Sequence, residues 1–177
     1  MINDYEATQP IAQPAEPYAT DAVLKNDDVV STLNGLISVC KDGQDGFKEA
    51  AEGIEDSGLK SQFYEFSQQR AEFVGVLQGL VRDLGSEPET GGTISGAVHR
   101  GWIDIKSAIM GKDTAAILNE CERGEDHAKA AYLDAEKLNL PANIADVIHQ
   151  QSQAIQVAHN KIRDLRNNAT RSASSTF

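Results

Sequence analysis

The stretch Asn26–Gly85, NDDVVSTLNGLISVCKDGQDGFKEAAEGIEDSGLKSQFYEFSQQRAEFVGVLQGLVRDLG, decides the architecture. After the capping candidates Asn26 and Asp27, the residues Val30, Leu33, Ile37, Cys40, Gln44, Phe47, Ala51 and Ile54 recur in steps of three and four. That is the spacing of one face of a long amphipathic helix. The glycines inside it, Gly35, Gly43 and Gly46, each weaken a helix by up to about 1 kcal/mol relative to Ala, so close helix contact or a local backbone adjustment is expected to compensate. A turn at Asp56-Ser57-Gly58 leads to a second stripe of Leu59, Phe63, Phe66, Arg70, Phe73, Leu77, Leu80 and Leu84, which Gly85 ends. Two long helices joined by so few residues pack antiparallel.

Working outward, SEPETGG (Ser86–Gly92) reads as a loop. A shorter pattern from Thr93 to Met110, carrying Ile94, Val98, Trp102, Ile105 and Ile109, reads as a crossover helix. At about 1.5 Å per residue this helix spans roughly 25 Å, enough to return the chain along the bundle. Asp113 then caps a third long helix with Ile117, Cys121, Gly124 or Glu125, Ala128, Tyr132, Ala135 and Leu138 inward. Pro141 opens a fourth, striped by Ile144, Ile148, Gln151, Ile155, Ala158, Ile162 and Leu165. The expected fold is all-α, an antiparallel four-helix bundle with ferritin-like connectivity and a shorter crossover helix between the second and third long helices. Residues 1–25, with Pro10, Pro14 and Pro17, read as a flexible tail, residues 26–168 as the bundle, and 169–177 as a second tail.

The chain has 177 residues, room for one cored domain, and 16 basic against 27 acidic residues give it a net charge of -11. Such a charge disfavours nucleic acid and anionic lipid as partners. The basic residues Lys161, Arg163, Arg166 and Arg171 are interleaved with Asp164 and read as a solvated helix face. No apolar run reaches the roughly 18 to 20 residues of a membrane span, and the first residues lack a secretory signal, so a cytoplasmic location is expected. Both cysteines, Cys40 and Cys121, fall inside apolar stripes and read as reduced core residues. Self-association is expected of such a bundle. Among the histidines, His99 beside Arg100 and Trp102 reads as a clamp on the crossover, and His127 and His149 as surface residues.

Four polar side chains interrupt the stripes: Gln44, Arg70, Glu125 and Gln151. Each lies near mid-helix, so they are expected to gather in one central layer. An inward arginine needs an anionic partner, and Glu125 is the nearest in level. The competing reading is a metal centre holding iron or manganese, because di-metal bundles place one Glu on each of two helices and Glu-x-x-His on each of the other two. Glu49 or Glu52, Glu72 with Glu65, and Glu122 or Glu125 offer carboxylates, but the fourth helix offers only Gln156 and His159, a Gln-x-x-His. The metal candidates are therefore Glu49, Glu72, Glu122, Glu125 and His159, an incomplete set. For Glu122 and His159 the simpler alternative is a charge-assisted hydrogen bond. No nucleophile-base pair or phosphate-cradling glycine loop is present, and no catalytic residue is assigned.

The runs CKDGQDGFKEAAE (Cys40–Glu52), QQRAEF (Gln68–Phe73), HRGWIDIKSAIMG (His99–Gly111), CERGEDHAKAAY (Cys121–Tyr132) and AHNKIRDLR (Ala158–Arg166) resemble a bacterial ferritin-like four-helix-bundle family of unknown function, domain of unknown function 2383. The resemblance covers residues 27 to 168 in order and implies the ferritin-like fold. It implies no settled activity, and it links the chain to general stress physiology only through analogy with other ferritin-like proteins. The functional expectation is a non-enzymatic bundle acting by assembly or partner binding, with a metal-binding relative of weak oxidase or storage activity as the alternative.

Overall fold

The computed structural model describes residues 23–89, 105–111 and 113–174, with side chains to residue 171. The N-terminal tail to residue 22 and the Ile94, Val98, His99, Arg100 and Trp102 portion of the expected crossover helix lie outside the described residues. Four long helices carry the fold: α1 (Asn26–Gly53), α2 (Ser57–Asp83), α3 (Thr114–Glu136) and α4 (Ala142–Ser174). Helix α1 packs on α2 and α3, and α4 packs on α3 and more sparingly on α2. The pairs α2/α3 and α1/α4 therefore face each other across the diagonals of a four-helix bundle. The backbone of α4 stays helical through Ser174, past residue 168 where the sequence reading ends the bundle.

Local chemistry sets the helix ends. Asp56 caps α2 by accepting the Leu59 amide at 2.8 Å, and Asp113 caps α3 through the Ala115 and Ala116 amides. Gly85 has φ 77°, and its amide bonds Arg82 O while the Ser86 amide bonds Val81 O. This left-handed residue with paired back-bonds ends α2 and satisfies two of its last carbonyls. The start of α1 departs from expectation. Lys25 occupies the cap position without a side-chain bond, and Asn26, the expected cap, instead donates its side-chain amide to Leu84 O at the far end of α2.

The stripes hold with one drift. On α2 the buried positions run Phe63, Phe66, Arg70, Val74, Leu77 and Val81, while Phe73 and Leu80 move to the edge of the core. A strict seven-residue repeat slips about 20° per heptad on a straight helix of 3.6 residues per turn, so the inward line passes to the neighbouring valines. Similarly Val29 rather than Val30 is fully buried on α1, and Leu138 ends up 39% exposed beyond the end of α3.

The described ends of the crossover rest on α1. Glu89 bonds Asn34 through its amide and Lys41 through its carbonyl, and the chain reappears as a short helical turn at 105–110. Ile105 lies over Gly46 and Ile109 over Gly53, so two glycines seven residues apart form the groove that receives this segment. A Cβ at Gly53 would stand 2.4 Å from Ile109 Cγ1 and 2.5 Å from its Cγ2. Both atoms sit on the branched carbon, which cannot swing away. Gly43 faces the stem of Arg70, whereas Gly35 has no atom within 4 Å of such a Cβ. Close contact thus accounts for Gly53, whereas a Cβ at Gly46 would meet Ile105 at an ordinary 3.6 Å and one at Gly35 would meet nothing.

These contrasts predict opposite outcomes for the same substitution. Gly35→Ala is expected to stabilise the bundle by about 0.5–1 kcal/mol through helix propensity alone. Gly53→Ala is expected to destabilise it by about 1–2 kcal/mol, because overpacking against Ile109 outweighs that gain. Urea unfolding of the two variants measures both, and equal midpoints would contradict the groove.

Candidate functional site

The core is divided. One apolar cluster contains Leu33, Ile37, Leu77, Val81, Tyr132, Ile144 and Ile148, and the other contains Phe47, Phe63, Phe66, Ile117, Leu118 and Ile162. Between them lies a polar waist to which α2 and α3 each bring a buried charged residue.

Helix α2 points Arg70 inward because it shares the stripe of Phe63, Phe66 and Leu77, and its side chain is fully buried. Helix α3 points Glu125 inward between Cys121 and Ala128 for the same reason. The Arg70 guanidinium crosses the diagonal, and its Nη2 donates to both Glu125 oxygens at 2.8 Å. Nη1 donates to Gln69 Oε1 at 2.8 Å, and the guanidinium carbon stands 5.5 Å from the centre of the Phe73 ring. Nε finds no acceptor among the described residues. Gly43 of α1 lies against the arginine stem, where an added Cβ would stand at an ordinary contact of 3.4–3.5 Å from the Arg70 Cγ, Cδ and Nε. Burial pushes the Glu125 carboxyl upward, while the charge and hydrogen bond of Arg70, and then the charge of His159, pull it back.

A second polar layer lies just inside the first apolar cluster. Tyr132 donates to Gln151 Oε1 at 2.7 Å, which leaves the Cys40 thiol as donor to the Tyr132 oxygen at 3.0 Å. Burial raises the Cys40 thiol to about 11 and drives the Cys121 thiol and the Tyr132 phenol higher still, so all three stay protonated at neutral pH. Both cysteines are free and buried.

The structure therefore brings Arg70 and Glu125 together and separates the other two members of the expected layer. Gln151 joins Tyr132 instead, and Gln44 is half-buried and contributes its backbone carbonyl, which accepts from Ser67 Oγ at 2.8 Å. A buried phenol needs an acceptor, and Tyr132 claims the amide that the simple layer assigns to Glu125.

Among the described residues the seam between α3 and α4 carries the ion pair of Glu122 with Arg166 at 2.9 Å and the hydrogen bonds of Asp126 with His159 at 2.8 Å and of Glu136 with His149 at 2.9 Å. His159 thus pairs with Asp126 rather than with Glu122, the partner suggested by the sequence. The register that joins Glu136 to His149 also joins Asp126 to His159, ten residues further along each helix.

The five metal candidates are not assembled into a ligand set. Glu125 is clamped by Arg70, Glu122 is paired with Arg166, and His159 is turned to Asp126. Glu72 is exposed and accepts from Gln68, and Glu49 lies more than a turn beyond Gln44 on α1. Among the described residues no group of three or more His, Cys, Asp or Glu side chains is placed to hold a metal ion. The waist does not fit a metal, because a cation beside Glu125 would meet the guanidinium already there.

Four antiparallel helices with a long crossover between the second and third define a ferritin-like bundle. The model of Domain of unknown function (DUF2383) matches residues 28–138, and the chain belongs to that family. The match spans α1 to α3 and stops before α4. The fold is similar to a solved structure described as a dodecameric thioferritin, the bacterioferritin-related protein from Bacteroides fragilis, with a TM-score of 0.69. Identity to it is 11%, over 87% of this chain and 93% of that one, which shows shared fold alone. No protein of curated function matches the sequence. No helix among the described residues is long and apolar enough to cross a membrane.

Two predictions arise from the electrostatics. Arg70→Ala is expected to cost about 3–5 kcal/mol in chemical denaturation, because it strands a buried carboxylate, and a loss below roughly 0.5 kcal/mol would place the side chain in water. Asp42, half-buried on α1, has its carboxyl raised to about 6 by burial and by the charge of Asp45. The folded state holds this proton more tightly than the unfolded state, so stability contributed by protonation is present below about pH 4 and is lost as pH rises through 6. Asp42→Asn is expected to raise Tm at pH 7.5 and to leave it unchanged at pH 4, and a gain of equal size at both would refute the assignment.

Proposed function

We propose that the protein is a non-enzymatic, self-associating ferritin-like bundle that works through assembly or protein partners rather than through a metal centre. The observation that carries this reading is the closure of the waist by the chain's own charges, with Arg70 bound to both oxygens of Glu125. Bundles of this layout build metal sites from inward carboxylates and Glu-x-x-His pairs, and the polar groups here are engaged by guanidinium, phenol and amide partners instead. Assembly draws support from the dodecameric state named for the similar bacterioferritin-related protein. A place in stress physiology is supported by fold analogy alone.

Metal analysis and light scattering test the reading together. Protein purified after growth with added iron and manganese is expected to hold less than about 0.2 ion per chain and to run as an oligomer at micromolar concentration. A monomer carrying stoichiometric iron or manganese would overturn the proposal in favour of the metal-binding alternative.

A further inference from the structure

On α2, Glu72, Gly75, Gly79 and Arg82 follow one another in steps of three, four and three, the spacing of a single helix face. We infer that this face is a two-fold contact between two copies of the chain, with the two α2 helices antiparallel, the glycines together at the axis, and Glu72 of each copy paired with Arg82 of the other. The inference rests on the self-association proposed above and deepens it by naming the surface.

The face is not used inside the bundle. The core stripe Phe63, Phe66, Arg70, Val74, Leu77 and Val81 runs along the far side of α2, and Glu72, Gly75 and Arg82 are exposed. A Cβ added at Gly75 or Gly79 would meet nothing within 4 Å. Glycines in a helix interior weaken it by about 1 kcal/mol each relative to alanine, and no contact among the described residues requires these two. What they provide is a strip of bare backbone, which a second helix can approach more closely than ordinary side chains allow. Val76, 47% exposed, flanks the strip and adds apolar surface to such a contact.

The charges make the face complementary to itself. In a two-fold contact each residue meets a different one on the other copy, and the exchange is reciprocal. An axis beside Leu77, the midpoint of the glycine pair, sets Gly75 against Gly79 in antiparallel helices. The same axis sets Glu72 level with Arg82, because these two also lie equally far on either side of Leu77. A parallel arrangement would instead bring Glu72 to Glu72 and Arg82 to Arg82. Within one chain the two charges are about 15 Å apart along the helix, too far to pair. Among the described residues Glu72 accepts from Gln68 at 3.3 Å and has no ion pair, and Arg82 has none either. One symmetry operation therefore gives both groups an opposite charge.

Charge exchange tests the interface. Sedimentation velocity is run on wild type, E72R, R82E, the double variant E72R/R82E, an equimolar mixture of the two single variants, and G75L, with circular dichroism confirming that each is helical. Each single reversal sets like charges together twice across the axis, so E72R alone and R82E alone are expected to dissociate at concentrations about tenfold or more above wild type. The double variant and the mixture restore both opposite pairs, and are expected to return to within about threefold of wild type. In G75L the new Cβ meets nothing inside the chain, but the side chain blocks the approach of a second helix, so this variant is expected to dissociate as the single reversals do. Unchanged association in E72R and R82E, or in G75L, overturns the interface, as does failure of the double variant or of the mixture to recover. A wild type that is monomeric throughout overturns it together with the self-association reading, whereas an oligomer indifferent to all these substitutions overturns the interface alone.

Discussion

A guanidinium and a carboxylate, both out of water, meet across the diagonal of the bundle, and the remaining packing is arranged around that meeting. Removing two charges from solvent is unfavourable by several kcal/mol each, and their attraction offsets this only when geometry and further hydrogen bonds are good. The pair Arg70–Glu125 supplies both, with two 2.8 Å contacts, the Gln69 carbonyl and the Phe73 ring around the guanidinium. If α2 or α3 slid by one turn, an arginine would lie against Phe or Leu and a glutamate against Ile, so the pair fixes the register of two helices that do not touch directly.

The glycines of α1 show how a weak element can be stabilised by what lies against it. Gly53 reduces helix propensity, but it lets Ile109 approach the backbone closely, and the dispersion contacts offset part of the propensity loss. Gly43 and Gly46 also lie against side chains, Arg70 and Ile105, but at distances that an alanine would tolerate.

Much of this was legible in the sequence. The helices, their antiparallel pairing, the long crossover and the Arg70–Glu125 partnership follow from spacing, turn length and the need of a buried charge for its opposite. What spacing alone could not resolve was rotation and level within a helix. Val74 and Val81 replace Phe73 and Leu80 because 3.6 does not divide a heptad, and Gln151 goes to Tyr132 because a phenol on the same face has the prior need for an acceptor. His159 was misassigned to Glu122 for a related reason, since neighbouring carboxylates on α3 differ by only one turn and the hairpin register decides between them. The metal candidates Glu125, Glu122 and His159 lie near one another but are each engaged by another residue, Arg70, Arg166 and Asp126, which residue type alone does not reveal.

Two antiparallel hairpins, α1–α2 and α3–α4, can in principle dock face to face in either of two mirror-related arrangements, and their apolar stripes alone discriminate poorly between them. The connection between Gly85 and Asp113 bears on that choice. Its described ends rest on α1, Glu89 against Asn34 and Lys41, and Ile105 and Ile109 against Gly46 and Gly53. A chain in which those contacts were freed would keep its helices while losing a constraint on the side from which the second hairpin docks.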